Sequence, residues 1–188
     1  MDIKAFYPSI RVGHVNKAWL SLGCSEPVAG LLTRLTTCDY QLPQGFRSSQ
    51  GIANLVRRPF DLRVQRLADE RRLTYTNYSD NLFLSGARIP SRVVGLCESI
   101  ASTYGWRLHK VEIKGRGDVK HVLGIQVGEV LDVTPEYHES VLADIARLRE
   151  SRRTSPRLLR RVAGRIAWVQ HINPEHGRAL KVLAGIAH

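Results

Sequence analysis

The chain has 188 residues, 43% of them apolar, and a formal net charge of +11 from 28 Lys and Arg against 17 Asp and Glu. That length and composition bury a sizeable core and exclude a disordered chain. No apolar run reaches the ~18 residues of a membrane-crossing helix, no secretory or transit leader is visible, and the surplus of cations points to nucleic acid as partner, with no membrane.

Asp2 to Tyr7 reads as the end of a strand, with Pro8-Ser9 as its stop and a helix entry. Residues 11–22 have helical spacing and end at Gly23. Residues 26–36 form a second short helix behind Ser25 as N-cap. Residues 41–50 (QLPQGFRSSQ) are a polar, turn-rich loop. From Gln50 to about Arg72 apolar residues recur at helical spacing, and Pro59 is expected to break or kink that helix early. Leu73 to Gly86 (LTYTNYSDNLFLSG) is two apolar runs around Ser79-Asp80-Asn81, which predicts a hairpin with Asp80 and Asn81 at its tip.

Residues 90–104 are a helix, Trp106–Ile113 and Val119–Val127 strands, and Glu129–Val133 a short return. From Thr134 the composition changes. Thr134-Pro135 starts a helix that runs to about Glu150, residues 151–155 are a hinge, Pro156 opens a second helix to about Val169, and Asn173-Pro174 caps a third. Between Arg147 and Arg165 stand eight arginines and a single acid, Glu150. Arginine this dense, without lysine, favours a surface that tracks phosphates over a merely solvated face. Cys24, Cys38 and Cys97 are well spaced and form no CxxC, which gives no disulfide framework or zinc site and fits a reducing, cytoplasmic setting. The layout is α+β over residues 1–133, then helical and basic over residues 134–188.

Two carboxylates at adjacent strand ends suit the paired divalent cations of nucleotidyl transfer. Asp2 and Asp80 are the candidates, although an isolated strand-end Asp is more often turn chemistry. The stretches DIKAFYPSI, LPQGFRSSQGIANL and YSDNLFLSG, in that order and at these spacings, resemble motifs A, B and C of reverse transcriptases, of the retron, group II intron or abortive-infection type. GWRLHKVEIK is similar to motif D, HVLGIQV to motif E, and VAGRIAWVQHINPEHGRAL to the thumb helices. The resemblance implies a polymerase palm, an antiparallel sheet with helices on one face, over residues 1–133, and a small helical thumb over residues 134–188.

It further implies an RNA-directed DNA polymerase that uses two Mg²⁺ or Mn²⁺ ions, dNTPs, an RNA template and a primer-template duplex. Asp2, the Ile3 carbonyl and Asp80 would be the metal ligands, with Asn81 beside them in the catalytic motif. Tyr7 would be the steric gate against a 2′-hydroxyl. Gln44, Gly45 and Phe46 would line the nucleotide site. Arg47 and the arginines at 152, 153, 157, 160, 161 and 165 (Arg152, Arg153, Arg157, Arg160, Arg161, Arg165) would hold nucleic acid.

The pattern departs from the family in four places. Asn81 replaces the second motif C aspartate, Glu112 stands where motif D has its lysine (flanked by Lys110 and Lys114), and Ala5 replaces an acidic residue of motif A. Nothing precedes motif A, where these enzymes carry their fingers. The expectation is a fragment, a split enzyme completed by a fingers-bearing partner chain, or a degenerate module. The alternative function is therefore a non-catalytic RNA-binding scaffold in a ribonucleoprotein.

Overall fold

The computed structural model describes residues 1–115, 117–150 and 155–186. They form two compact units, Met1–Glu112 and Ile113–His188. The architecture is mixed α+β, with antiparallel sheets and C-terminal helices.

The first unit holds a four-stranded sheet in the order β2-β3-β1-β4: β1 (Asp2–Ile3), β2 (Thr74–Tyr78), β3 (Asn81–Ser85) and β4 (Leu108–His109). All of its pairings are antiparallel. Around it lie α1 (Phe6–Ser9), α2 (Val12–Ser21), α3 (Glu26–Thr36), α4 (Ser49–Asp69) and α5 (Arg92–Ser102). The core is continuous from Ile3 and Phe6 through Ile52, Ala53, Phe60 and Val64 of α4 to Tyr75, Leu82, Val93, Cys97 and Trp106. Trp106 sits edge-on to both Phe6 and Phe60, so one ring locks the segment before β4 to α1 and α4.

Four expectations for this unit change. The strand end expected over Asp2 to Tyr7 is only Asp2–Ile3, because the left-handed Ala5 (φ 50°) turns the chain into a helix that already holds Phe6, Tyr7, Pro8 and Ser9. The helix expected to break at Pro59 is one element, Ser49–Asp69, that passes through the proline. Its buried residues at 52, 53, 57, 60, 64, 67 and 68 repeat at helical spacing on both sides of Pro59, and that packing outweighs one missing N–H. The strand expected over 106–113 is only Leu108–His109, because its partner β1 has only two residues and Lys110 turns away at φ 48°. The hairpin tip is Ser79-Asp80. Asn81 already belongs to β3, where it pairs with Tyr78 on one side and Asp2 on the other.

The second unit combines a three-stranded sheet, β5 (Lys120–Val122), β6 (Ile125–Val127) and β7 (Leu131–Val133), with α6 (Pro135–Glu150), α7 (Pro156–Ile172) and α8 (Pro174–Ala184). The stretch 119–127 is a hairpin and not one strand: Leu123 and Gly124 both have positive φ, 52° and 81°, which is the backbone of a tight two-residue turn. The boundary between units falls after Glu112, whereas composition places it after Val133. Val133 is in the core formed by Val141, Ile145, Val162, Ile166, Val169 and Leu180, so the small sheet is built with the helices. The helices α7 and α8 approach closely at Gly177, where a Cβ would lie 2.3 Å from the Cα of Gln170.

Candidate active site

Asp2 lies on the central pair of the first sheet. Its Cα partner across β3 is Asn81, and across β4 it is His109. The Ile3 N–H donates to the Asp80 carbonyl at 2.9 Å, and the Leu82 N–H to the Met1 carbonyl at 2.9 Å. Backbone bonds on both sides of Asp80 and Asn81 thus hold the two aspartates on neighbouring chain segments of one sheet. Both residues are part-exposed, while Ile3 and Leu82 beside them are buried. The alternation of the strands therefore sends the apolar residues into the core and leaves the carboxylates at the surface.

Two side chains from β4 and the segment after it converge on Asp2. His109 Nδ1 lies 3.2 Å from Asp2 Oδ1 and 3.1 Å from the Asp2 carbonyl, and Lys110 Nζ lies 3.9 Å from Asp2 Oδ2. The lysine that reaches this carboxylate therefore comes from the segment just after β4, three residues past Arg107. On the other side the Asn81 amide donates to Asp80 Oδ1 at 3.1 Å. The atoms that could hold a metal are hard oxygens: the Asp2 and Asp80 carboxylates and the Ile3 carbonyl. Among the described residues no three or more His, Cys, Asp or Glu side chains form a metal-holding group. Two carboxylates fit Mg²⁺, which commonly takes one or two and completes its shell with water and substrate phosphates.

Tyr7 joins the three stretches picked out in the sequence. After β1 the chain turns through a left-handed Ala5 (φ 50°) into α1, which brings the Tyr7 ring back over the hairpin. Its hydroxyl donates to Gln50 Oε1 of α4 and lies 3.1 Å from Ser79 Oγ. The LPQG loop is fixed from the same helix. The buried Ser49 hydroxyl donates to the Pro43 carbonyl at 2.5 Å, and the Ser49 N–H to the Phe46 carbonyl at 3.1 Å. Gly45 has φ 92° with open space where a Cβ would stand, so the turn itself requires the glycine. Gln44, Gly45, Phe46 and Arg47 are all exposed, Phe46 to 56%.

The residue that sequence reasoning missed is Arg57. It is 1% exposed, and its guanidinium donates through NH1 to the Ser79 carbonyl and through Nε to Asp61 Oδ2 at 3.1 Å. The other Asp61 oxygen accepts from the Tyr75 hydroxyl at 2.6 Å. Burial, and then that bond to Asp61, raise the Tyr75 phenol far above its ordinary range. The only signal in the sequence is Asp61, four residues after Arg57, the spacing of an ion pair on one helix face.

The predicted nucleic-acid residues of the second unit divide into two kinds. Arg157 and Arg160 are exposed on the first turns of α7. Arg165 is turned inward: it donates to Asp144 Oδ2 at 2.6 Å and to the Ser140 carbonyl at 3.1 Å, and stacks over Tyr137 with its centre 4.7 Å from the ring. Arg161 (2.9 Å) and Arg147 (3.6 Å) reach the same Asp144 carboxylate, which is buried, while both arginines remain more than half exposed. Arg152 and Arg153 lie outside the described residues.

No protein-family model matches the chain. The Retron Ec86 reverse transcriptase of Escherichia coli is 38% identical over 85 residues, 45% of this chain and 27% of that protein. The Retron Mx65 reverse transcriptase of Myxococcus xanthus is 27% identical over 203 aligned positions, which take in 96% of this chain and 47% of that protein. The chain is a homologue of retron reverse transcriptases. A third such relative, the Retron Mx162 reverse transcriptase of Myxococcus xanthus, is 24% identical over 95% of the chain and 45% of its own length. The homology thus extends through most of this chain, at modest identity, and the chain spans less than half the length of each of these retron enzymes. Among the described residues no helix is long and apolar enough to cross a membrane.

Proposed function

We propose that the chain is the palm and thumb of an RNA-directed DNA polymerase, which transfers a nucleotidyl group from a dNTP to a primer 3′-hydroxyl along an RNA template. The observation that carries this reading is the placement of Asp2 and Asp80 on neighbouring segments of one sheet, tied by the Ile3–Asp80 backbone bond. Two Mg²⁺ or Mn²⁺ ions, held by Asp2, Asp80 and the Ile3 carbonyl, would supply the charge that stabilises the attacking and leaving oxygens. Tyr7 presents its ring to the sugar of the incoming nucleotide, and Gln50 and Ser79 fix the ring through its hydroxyl. Gln44, Gly45 and Phe46 border the nucleotide, with Arg47 toward the template.

In the thumb, Arg157 and Arg160 face the phosphates of the duplex together with the exposed Arg147 and Arg161, and Arg165 orders that set through Asp144. The retron enzymes it matches are longer, so the active assembly includes a fingers segment, from the same or a partner chain. Three free cysteines, of which Cys97 is buried with its thiol pushed up to about 11, suit a reducing bacterial cytoplasm. The test is primer extension on an RNA template with dNTPs and a fingers-bearing partner. Extension that requires Mg²⁺ and stops with chelator supports the reading, and none under any metal overturns it.

One observation favours a second reading, an RNA-binding scaffold. The Asn81 amide lies on Asp80, and His109 and Lys110 lie on Asp2, so both carboxylates have partners within the protein. A scaffold binds RNA equally with and without chelator, and Asp2→Ala leaves that binding unchanged.

A further inference from the structure

Ser79 is the first residue of the two-residue hairpin turn and has φ 54°, a conformation that side-chain-bearing residues adopt only at a cost. Glycine would take it freely, and glycine is absent here. Two side chains from outside the hairpin grip this residue. Tyr7 reaches its hydroxyl, and Arg57 donates to its carbonyl. Arg57 is enclosed: its charge is met by Asp61, its guanidinium centre stands 5.5 Å from the Phe6 ring centre, and Asp61 is held in turn by Tyr75 of β2. A buried guanidinium is expensive, and an apolar side chain of similar length would fill the same space at lower cost. What the guanidinium adds is a rigid fork that reaches a carboxylate and a backbone carbonyl together.

We propose that Arg57 is a positioning residue for Asp80. It holds the Ser79 carbonyl, and with it the left-handed turn from which Asp80 departs, and so fixes where the Asp80 carboxylate stands relative to Asp2. The effect on rate rests on the polymerase reading, whereas the effect on the turn does not.

The experiment uses the full chain and four variants: Arg57→Lys, Arg57→Met, Ser79→Gly and the double variant Arg57→Lys/Ser79→Gly. The first readout is amide hydrogen exchange at Ile3 and Leu82, whose N–H groups bond to Asp80 and Met1 across β1 and β3. Arg57→Lys is expected to speed exchange at these two amides about tenfold or more and to leave the α5 and second-unit amides unchanged. The second readout is primer extension in the fingers-completed assembly. There kcat should fall on the order of 10²-fold, the scale of an ~1 Å misplacement, while the KM for dNTP and the affinity for duplex stay within about twofold.

Because glycine accepts the turn without help, adding Ser79→Gly should restore part of the lost kcat and part of the protection. Arg57→Met tests whether an apolar filler suffices, and if it unfolds, the lysine and glycine variants carry the result. Unchanged exchange at Ile3 and Leu82, or a loss of protection spread evenly over the first unit, overturns the proposal. If the unaltered chain extends no primer, the polymerase reading fails alone and the exchange measurement still decides the role of Arg57.

Discussion

The Ile3 N–H donates to the carbonyl of Asp80 at 2.9 Å, and that bond fixes the distance in sequence, 77 residues, into one spacing between strands. On the polymerase reading proposed above, Asp2 and Asp80 act together. Asp2→Ala and Asp80→Ala are each expected to lower primer extension by about two to three orders of magnitude, the scale for losing one preorganised charge contact. The double variant should be scarcely worse than either single one, because groups that act as a unit are not additive. Steady-state extension kinetics check this, and extension that survives Asp80→Ala removes Asp80 from the chemistry.

Asn81 is paired with Asp2 across the sheet, and its amide donates to Asp80 Oδ1 at 3.1 Å. In Asn81→Asp that donor becomes a second carboxylate beside Asp80. Like charges at this spacing repel, and a divalent cation relieves them. The variant should melt lower than the unaltered chain in chelator, recover in millimolar Mg²⁺, and extend primers several-fold faster. Thermal melts with and without Mg²⁺, followed by extension rates, decide it. A melt indifferent to Mg²⁺ shows that no cation binds between these side chains.

On the same reading the Tyr7 ring and the Tyr7 hydroxyl have separable tasks. The hydroxyl is tied to Gln50 and Ser79, and the proposal gives the ring the task of facing the sugar. Tyr7→Phe keeps the ring and should keep most discrimination against ribonucleotides. Tyr7→Ala opens space for a 2′-hydroxyl and should raise the ratio of rNTP to dNTP incorporation by roughly tenfold or more, the scale on which packed pockets sort close analogues. The measurement is kcat/KM for each nucleotide. Equal ratios in all three proteins place the gate elsewhere.

The helices and the hairpin were legible in the sequence from their apolar periods: Ile52, Val64 and Leu67 on α4, where Leu62 of the same period proves exposed, and the apolar runs on either side of the turn, with Leu82 buried. The LPQG loop was legible because proline and glycine announce a turn. Which polar residues are buried was not legible. Arg57 and Arg58 are adjacent and chemically equal, and only the position of the core decides that Arg57 alone is enclosed. Asp144 reads as a solvated acid on a helix, yet it is 2% exposed and gathers three arginines from two helices. The Leu123-Gly124 turn was hidden because a glycine inside a β-branched run reads equally as a weak point in one strand.

Asp144 ties α6 to α7 through Arg165 and Arg161. Removing one partner of a buried ion pair strands the other charge and costs about 3–5 kcal/mol. Asp144→Ala should therefore unfold the second unit at markedly lower denaturant and weaken duplex binding with it. Arg157→Ala should weaken duplex binding, flatten its salt dependence and leave stability unchanged. Denaturant melts alongside binding at several salt concentrations separate the two. Equal loss of stability in both variants refutes the division of the arginines.

The Asp132 carboxylate gives the second unit a dependence on pH. Burial pushes its carboxyl up, but bonds from His176 Nδ1 (2.7 Å), the Val133 N–H (2.7 Å) and the Asn173 amide (3.0 Å) outweigh burial and hold it below its ordinary 3.8. A depressed folded value means that the stabilisation is present in full above the unfolded value and is lost as pH falls through the folded one. The melting temperature of the unaltered chain minus that of Asp132→Asn should thus be positive at about pH 5 and shrink as the pH falls below the ordinary value of 3.8. The Asn that replaces it has one carbonyl oxygen, which can stand in for the Oδ1 that accepts from the Val133 N–H but not also for the Oδ2 that accepts from the Asn173 amide, so the change of the difference with pH, and not its size, isolates the carboxylate charge. A difference that is the same at pH 3 and pH 6 shows that the carboxylate charge contributes nothing at this junction of β7 and α8.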